Sequence, residues 1–481
     1  MPTLYLPDFL YTESGVVAGV GLLVGDDGTI LQVGHDIAEA NVTKLRLRGK
    51  ALLPGLVNGH SHSFQRVIRG AAEHGGPNGD DFWAWRNVMY AAAARLSPED
   101  QFDVARMAFL EMALSGITSV GEFHYVHRQP DGSSYDDPNL LAKYIIRAAK
   151  SVGLRICLLR VAYIRAGFDL PPNPGQIRFY ENCDEYLRNV SQLAKDVEAE
   201  GPTVSMGVAP HSIRAVPLEA LRRVCQWAGE HSLPIHIHAA EQHAEIVACE
   251  KEHGVPPISL LAREGLLSDK MTLVHAIHTS PAEVDAIAHA GATICSCPTT
   301  ERNLGDGIID ADLAITRGVG FSFGSDSQST INLLEDAREL DYHLRLKRQR
   351  RVLLDGIDKQ DMATRLFRYA TAGGARSLNQ PTGVLEAGRP ADFFSVNLHD
   401  VAIAGAAPKE LLSMIVFSLE RAAVQDVVVN GSMVVRDGQH RESAEIISRY
   451  EKAVQQVGLN DSAIGKTAAS RNLSQKPRSG L

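Results

Sequence analysis

Four apolar, strand-like runs in this chain each deliver a side chain that can bind a metal, and segments long enough to hold a helix separate them. The first, Pro54-Gly55-Leu56-Val57-Asn58-Gly59-His60-Ser61-His62, supplies two imidazoles one residue apart. In a strand, side chains at i and i+2 share a side, so His60 and His62 converge while Ser61 points away. The second, Ile235-His236-Ile237-His238-Ala239-Ala240-Glu241, alternates like a strand and adds a carboxylate three residues beyond His238. Met271-Thr272-Leu273-Val274-His275 ends in a histidine, and Gly318-Val319-Gly320-Phe321-Ser322-Phe323-Gly324-Ser325-Asp326 ends in an acid. Chemical groups at the carboxyl ends of strands that alternate with helices predict an α/β fold, a (β/α)8 TIM-type barrel with its site on the C-terminal rim.

With these groups in this order, the chain resembles the amidohydrolase superfamily over most of its length. That family carries a His-x-His on the first strand, a histidine on the fifth, another on the sixth and an aspartate on the eighth, which match His60, His62, His238, His275 and Asp326. Within the superfamily, Asn58-Gly59-His60-Ser61-His62-Ser63-Phe64-Gln65-Arg66, Phe82-Trp83-Ala84-Trp85-Arg86, Glu122-Phe123-His124-Tyr125-Val126-His127 and His211-Ser212-Ile213-Arg214-Ala215-Val216 are similar to the formiminoglutamate deiminases of histidine degradation. The resemblance implies hydrolysis of N-formimino-L-glutamate to N-formyl-L-glutamate and ammonia. A deaminase of a ring such as guanine, a triazine or an adenosine derivative is the competing reading, and a non-catalytic barrel scaffold a remote one. Deaminases of the cytidine type are excluded, because the chain has no Pro-Cys-x-x-Cys motif.

Hydrolysing a formimino group requires water to attack an amidine carbon near neutral pH and requires the departing nitrogen to be protonated. Zinc meets the first need by lowering the pKa of water from ~15.7 to ~7. The resemblance implies His60, His62, His238 and Asp326 as metal ligands, a set that suits zinc and is compatible with iron or manganese. It further implies Asp326 as acceptor of the water proton, Glu241 as proton shuttle to the imine nitrogen, and His275 as partner of the attacking oxygen or developing centre. Binuclear relatives carry a lysine on the fourth strand; the run Val204-Ser205-Met206-Gly207-Val208-Ala209-Pro210-His211 has none, so one ion per subunit is expected. Arg86 and Arg214 match positions that bind the two substrate carboxylates, for which guanidinium is the natural partner. Gln65, Tyr125 and His211 match the remaining polar contacts. His236 is expected to pack or to hydrogen-bond behind the ligands, and His124 and His127 to serve in a loop or to hydrogen-bond behind the site rather than to hold a second metal. The stretch Glu301 to Gly307 reads equally as a turn or as a cover for the site.

The 481 residues, 44% hydrophobic and 22% charged, suffice for a barrel and a second small domain. The sequence predicts β structure in residues 1–53, a barrel over 54–375, more of the same β domain over 376–440, and a terminal helix with a flexible tail over 441–481. The β segments include residues 17–24, 391–396 and 427–435, the last holding the hairpin signal Asn430-Gly431. A formal net charge of −9 gives no support for nucleic-acid binding, and the basic run Lys347 to Arg351 reads as a solvated helix face. Six scattered cysteines read as reduced thiols; with no basic leader and no apolar stretch long enough for a bilayer, the expected location is the cytoplasm. A homodimer is expected from the resemblance alone.

Overall fold

The computed structural model describes residues 1–37, 41–73 and 82–458; the tail expected after Asn460 lies outside them. Eight parallel strands pair in chain order: β1 (Leu56–Ser61), β2 (Ile117–His124), β3 (Arg155–Ala162), β4 (Val204–Pro210), β5 (Ile235–Ala239), β6 (Met271–His275), β7 (Thr293–Ser296) and β8 (Gly320–Phe323). Nearly every residue of these strands is buried, because helices cover the sheet outside and side chains fill it inside. Their sequences are apolar for the most part, and polar residues such as Thr118, Arg155, His236 and Thr272 are buried within them too.

The barrel closes at that end. A parallel bridge joins Ser61 to Asp326; the Asp326 N–H donates to the His60 carbonyl at 3.0 Å, and the His62 N–H donates to the Asp326 carbonyl at 3.0 Å. Closure therefore uses the backbone of the residues that carry the expected metal ligands. Gly324 makes the approach possible, since a Cβ there would lie 2.7 Å from His60 Cβ and 2.8 Å from the His60 carbonyl oxygen.

The two ends of the described chain combine in a second, nine-stranded mixed sheet. Its central strand, Thr43–Pro54, pairs parallel with Thr3–Thr12 and antiparallel with Phe393–Asn397, then leads within two residues into β1. The segment read as one strand over residues 17–24 is two, Gly15–Ala18 and Gly21–Val24, because Gly19 at φ 72° takes the backbone out of the β region between them. The hairpin Val424–Val429 to Ser432–Arg436 turns on Asn430 (φ 48°) and Gly431 (φ 75°), the paired positive φ of a type I′ turn. Beyond it, helix Ser443–Val457 buries Ile446, Ala453 and Val457, and Arg106 of helix Pro98–Leu114 pairs with Glu442 at 2.9 Å and Glu445 at 2.8 Å. Lys347 and Arg348 of the basic run pair with Asp310 on the surface. Among the described residues no helix is long and apolar enough to cross a membrane.

Candidate active site

Three imidazoles meet at the rim. His60 Nε2 lies 3.1 Å from His62 Nε2 and 3.2 Å from His238 Nε2. Asp326 Oδ1 lies 3.3 Å from His62 Nε2 and 3.5 Å from His60 Nε2. Two of the tautomers are set from behind: His62 Nδ1–H donates to the Phe123 carbonyl at 2.9 Å and His238 Nδ1–H to the His211 carbonyl at 3.0 Å, leaving each Nε2 lone pair facing inward. Burial lowers the pKa of all three rings, that of His60 to about 3, so they are neutral nitrogen donors. Facing lone pairs at such spacing repel unless a cation lies between them. A tetrahedral ion with metal–nitrogen bonds of about 2.0–2.1 Å would set its ligand atoms roughly 3.3 Å apart, so the set fits a metal such as zinc.

A second group of charges adjoins the first. His275, at the end of β6, places Nε2 3.8 Å from Glu241 Oε1 and 3.6 Å from Asp326 Oδ2. The sequence shows no acid partner for His275, yet the structure supplies Glu301, whose Oε1 lies 3.3 Å from His275 Nδ1. Glu301 is buried on the short helix Pro298–Leu304 after β7, where it also accepts the Cys297 N–H at 2.8 Å and the Ser296 hydroxyl at 3.2 Å. The 301–307 stretch is thus neither a plain turn nor only a cover: it holds His275 from behind. Burial works against a protonated His275, but Glu241, Glu301 and Asp326 together hold its pKa well above the usual imidazole value. Burial raises the Glu241 pKa against the pull of His275.

Glu122 is another contributor that the sequence reading passed over. It accepts the Ser61 hydroxyl at 2.6 Å, the Ser63 hydroxyl at 2.6 Å and the Ser63 N–H at 2.7 Å, tying down the turn on either side of His62. Ser61 does point away from the ligands, as the strand period predicts, and Glu122 is what it points at. Serines flanking a His-x-His next to a buried strand acid were the available signal.

The cavity in front of these groups is lined by all five residues expected to bind substrate, Gln65, Arg86, Tyr125, His211 and Arg214, with His62, His238, Glu241, His275 and Asp326 at its floor. Trp85, Met89, Tyr90, Tyr163, Phe179 and Leu304, none assigned a substrate contact from sequence, complete the wall. Gln65 Nε2 donates to the Tyr125 hydroxyl at 2.8 Å. Burial, then the charge of Arg214, lowers the Arg86 pKa, the sign of two guanidiniums sharing one cavity. Arg214 resists its own burial through Tyr163, Glu245 and Glu241, which raise its pKa. A cavity with two cations on the wall and a metal-type cluster on the floor is built for an anion with a hydrolysable group.

The remaining candidates lie elsewhere. His236 turns to the barrel interior and its Nε2 lies 2.8 Å from the Ser377 carbonyl. His124 is the last residue of strand β2 rather than part of a loop; His127 Nε2 lies 2.9 Å from the Val161 carbonyl, with the His124 ring 5.6 Å away, and neither lines the cavity. Cys297, by contrast, lies directly behind the site, its Sγ within 4.8 Å of a His275 ring nitrogen and a Glu301 oxygen; it and Cys295 form no disulfide and pack with Val274.

The chain is similar to known proteins. A family model described as the amidohydrolase family matches residues 51–434. A formimidoylglutamate deiminase of Pseudomonas aeruginosa is 40% identical over 427 residues, 89% of this chain and 93% of that protein. A 5-methylthioadenosine/S-adenosylhomocysteine deaminase of Thermodesulfovibrio yellowstonii is 26% identical over 88% of this chain and 90% of its own. The crystal structure of an amidohydrolase from Brucella melitensis superposes with a TM-score of 0.87 at 32% identity, covering 95% of this chain and 99% of that one.

Proposed function

The chain belongs to the amidohydrolase family, whose members depend on a metal, and we propose that it hydrolyses N-formimino-L-glutamate to N-formyl-L-glutamate and ammonia. The observation that carries the substrate is the pair Arg86 and Arg214 on the wall of the cavity that ends in the His60, His62, His238 and Asp326 cluster. Two guanidiniums match two carboxylates bidentately, whereas a neutral ring calls for stacking and amide-like partners. The similarity to the Pseudomonas aeruginosa deiminase supports the same choice over the ring deaminases, whose identity to this chain is lower.

In this reading one zinc ion per subunit is held by His60, His62, His238 and Asp326. When bound, it supplies the Lewis acidity that makes water a nucleophile near neutral pH. Asp326 accepts the proton of the attacking water. Glu241 passes a proton to the imino nitrogen, so that nitrogen leaves as ammonia. His275, protonated and fixed by Glu301, donates to the oxygen as charge develops on it. Gln65, Tyr125 and His211 orient the formimino acid between the arginines and the metal. The protein works in the cytoplasm as a homodimer.

The test is ammonia release by the zinc-loaded protein from N-formimino-L-glutamate, with guanine and adenosine in parallel. Turnover of the formimino acid alone supports the reading; turnover of a ring alone keeps the metal chemistry and removes the arginines from substrate binding.

A further inference from the structure

Two phenols in the cavity wall, Tyr90 and Tyr163, have no part in the chemistry above, and the hydrogen bonds behind them determine what they can do. Gln176 is fully buried, and its Nε2 lies 2.6 Å from the hydroxyls of both. Its Oε1 lies 2.6 Å from the Tyr180 hydroxyl. This orientation of the amide is supported by a backbone group. The Asn173 N–H donates to the Tyr180 hydroxyl at 3.2 Å, so Tyr180 is already an acceptor and has its own proton to give. Giving it to Gln176 requires the carbonyl end on that side. The amide end then faces Tyr90 and Tyr163 and spends one hydrogen on each.

Each of these hydroxyls therefore accepts a hydrogen bond and keeps its single proton for another partner. Among the described residues neither proton meets an acceptor, and both side chains border the cavity that Arg86 and Arg214 share. The Arg86 guanidinium sits 5.3 Å from the centre of the Tyr90 ring. Burial raises the Tyr163 pKa by more than the two guanidiniums lower it, so this phenol stays a donor.

We propose that Tyr90 and Tyr163, held as donors by Gln176, bind a carboxylate of the substrate alongside the two arginines and select the acid over its amide. The proposal rests on the dicarboxylate reading above. A carboxylate only accepts, so it satisfies every donor that surrounds it. A carboxamide turns an N–H toward one of them, and the buried donors left facing it are costly.

Three variants test this: Tyr90→Phe, Tyr163→Phe and Gln176→Glu, the last an acceptor of similar shape that captures both phenol protons. Each is assayed with N-formimino-L-glutamate and with its α- and γ-monoamides. The native enzyme is expected to prefer the diacid to one of the monoamides. Each variant is expected to raise KM for the diacid by about ten- to a hundredfold, the loss typical of a hydrogen bond to a charged group, and to lower the acid-to-amide preference by a similar factor. Equal losses on acid and amide, or a fall in kcat at constant preference, would reduce the phenols to packing and overturn the proposal. A native enzyme that leaves formimino-L-glutamate untouched overturns the dicarboxylate reading and the proposal together, whereas native turnover with an unchanged preference in the variants overturns the proposal alone.

Discussion

Single residues at this site are held against their own preferences. His275 (φ 73°) and Asp326 (φ 46°) sit in the left-handed region, which costs of order 1–3 kcal/mol for a residue with a Cβ. Both turn at the end of a strand to aim a side chain at the same point, 3.6 Å from one another. Asp326→Ala should lower kcat by roughly 10²–10⁴-fold, the range of a lost general base; near-normal turnover with full metal content would remove it from the mechanism. Arg214→Met removes charge-assisted hydrogen bonds and should raise KM for the formimino acid by about ten- to a hundredfold while the metal stays bound. An unchanged kcat/KM would exclude Arg214 from substrate binding. Glu245 gives a pH test. Burial, with Glu241 beside it and Arg214 opposing, pushes its pKa up to about 7. A carboxyl raised on folding contributes stability that is fully present below its unfolded pKa and lost as pH rises through about 7. Glu245→Gln cannot ionise, so its Tm relative to the native chain should climb between about pH 5 and pH 8; a flat difference would show that Glu245 ionises freely.

Among the elements, β1 and β8 matter most, because the barrel closes between them through the backbone of the proposed ligand residues. Gly324 follows β8, and any side chain there meets His60. Gly324→Ala should therefore force the two strands apart, costing about 1–3 kcal/mol as overpacking does and weakening metal affinity at the same time. Metal content measured after dialysis, together with Tm, separates this from simple destabilisation: a lower Tm with full metal retention would mean that the closure does not position the ligands. The short helix Pro298–Leu304 has a comparable place, since it brings Glu301 behind His275 and Leu304 to the cavity wall.

Across the whole molecule, the sheet formed by the two ends anchors the strand that leads into β1, and the terminal helix returns to the same region. Arg66, just past the His-x-His, donates from Nη1 to the Tyr450 hydroxyl at 2.9 Å, so the last helix braces the turn that follows the ligands. The proposed ligands, drawn from β1, β5 and the segment after β8, converge only in the folded barrel, so a bound ion would stabilise the fold by mass action. At a thousandfold excess over Kd that is about 4 kcal/mol. Chelation should lower Tm and zinc should restore it; an unmoved Tm would mean that the cluster binds metal weakly or not at all.

The barrel was legible in the sequence because it rests on local pattern, whereas the expected ligand set and the five polar residues that the structure brings to the cavity came from the family resemblance. The apolar runs set the strands, the two-residue period put His60 and His62 on one side, and the position of each group at a strand end put it on the rim. Glu301, Glu122, Tyr90, Tyr163 and Gln176 were not legible, since each acts through a partner far along the chain. Glu301 reaches His275 across 26 residues, Glu122 reaches Ser61 across 61, and Gln176 reaches Tyr90 across 86. Local pattern determines which side of a strand a side chain occupies. Only closure of the barrel decides which buried donor and acceptor meet, because those pairings are set by the folding of distant segments into one desolvated space, where an unmet polar group costs most.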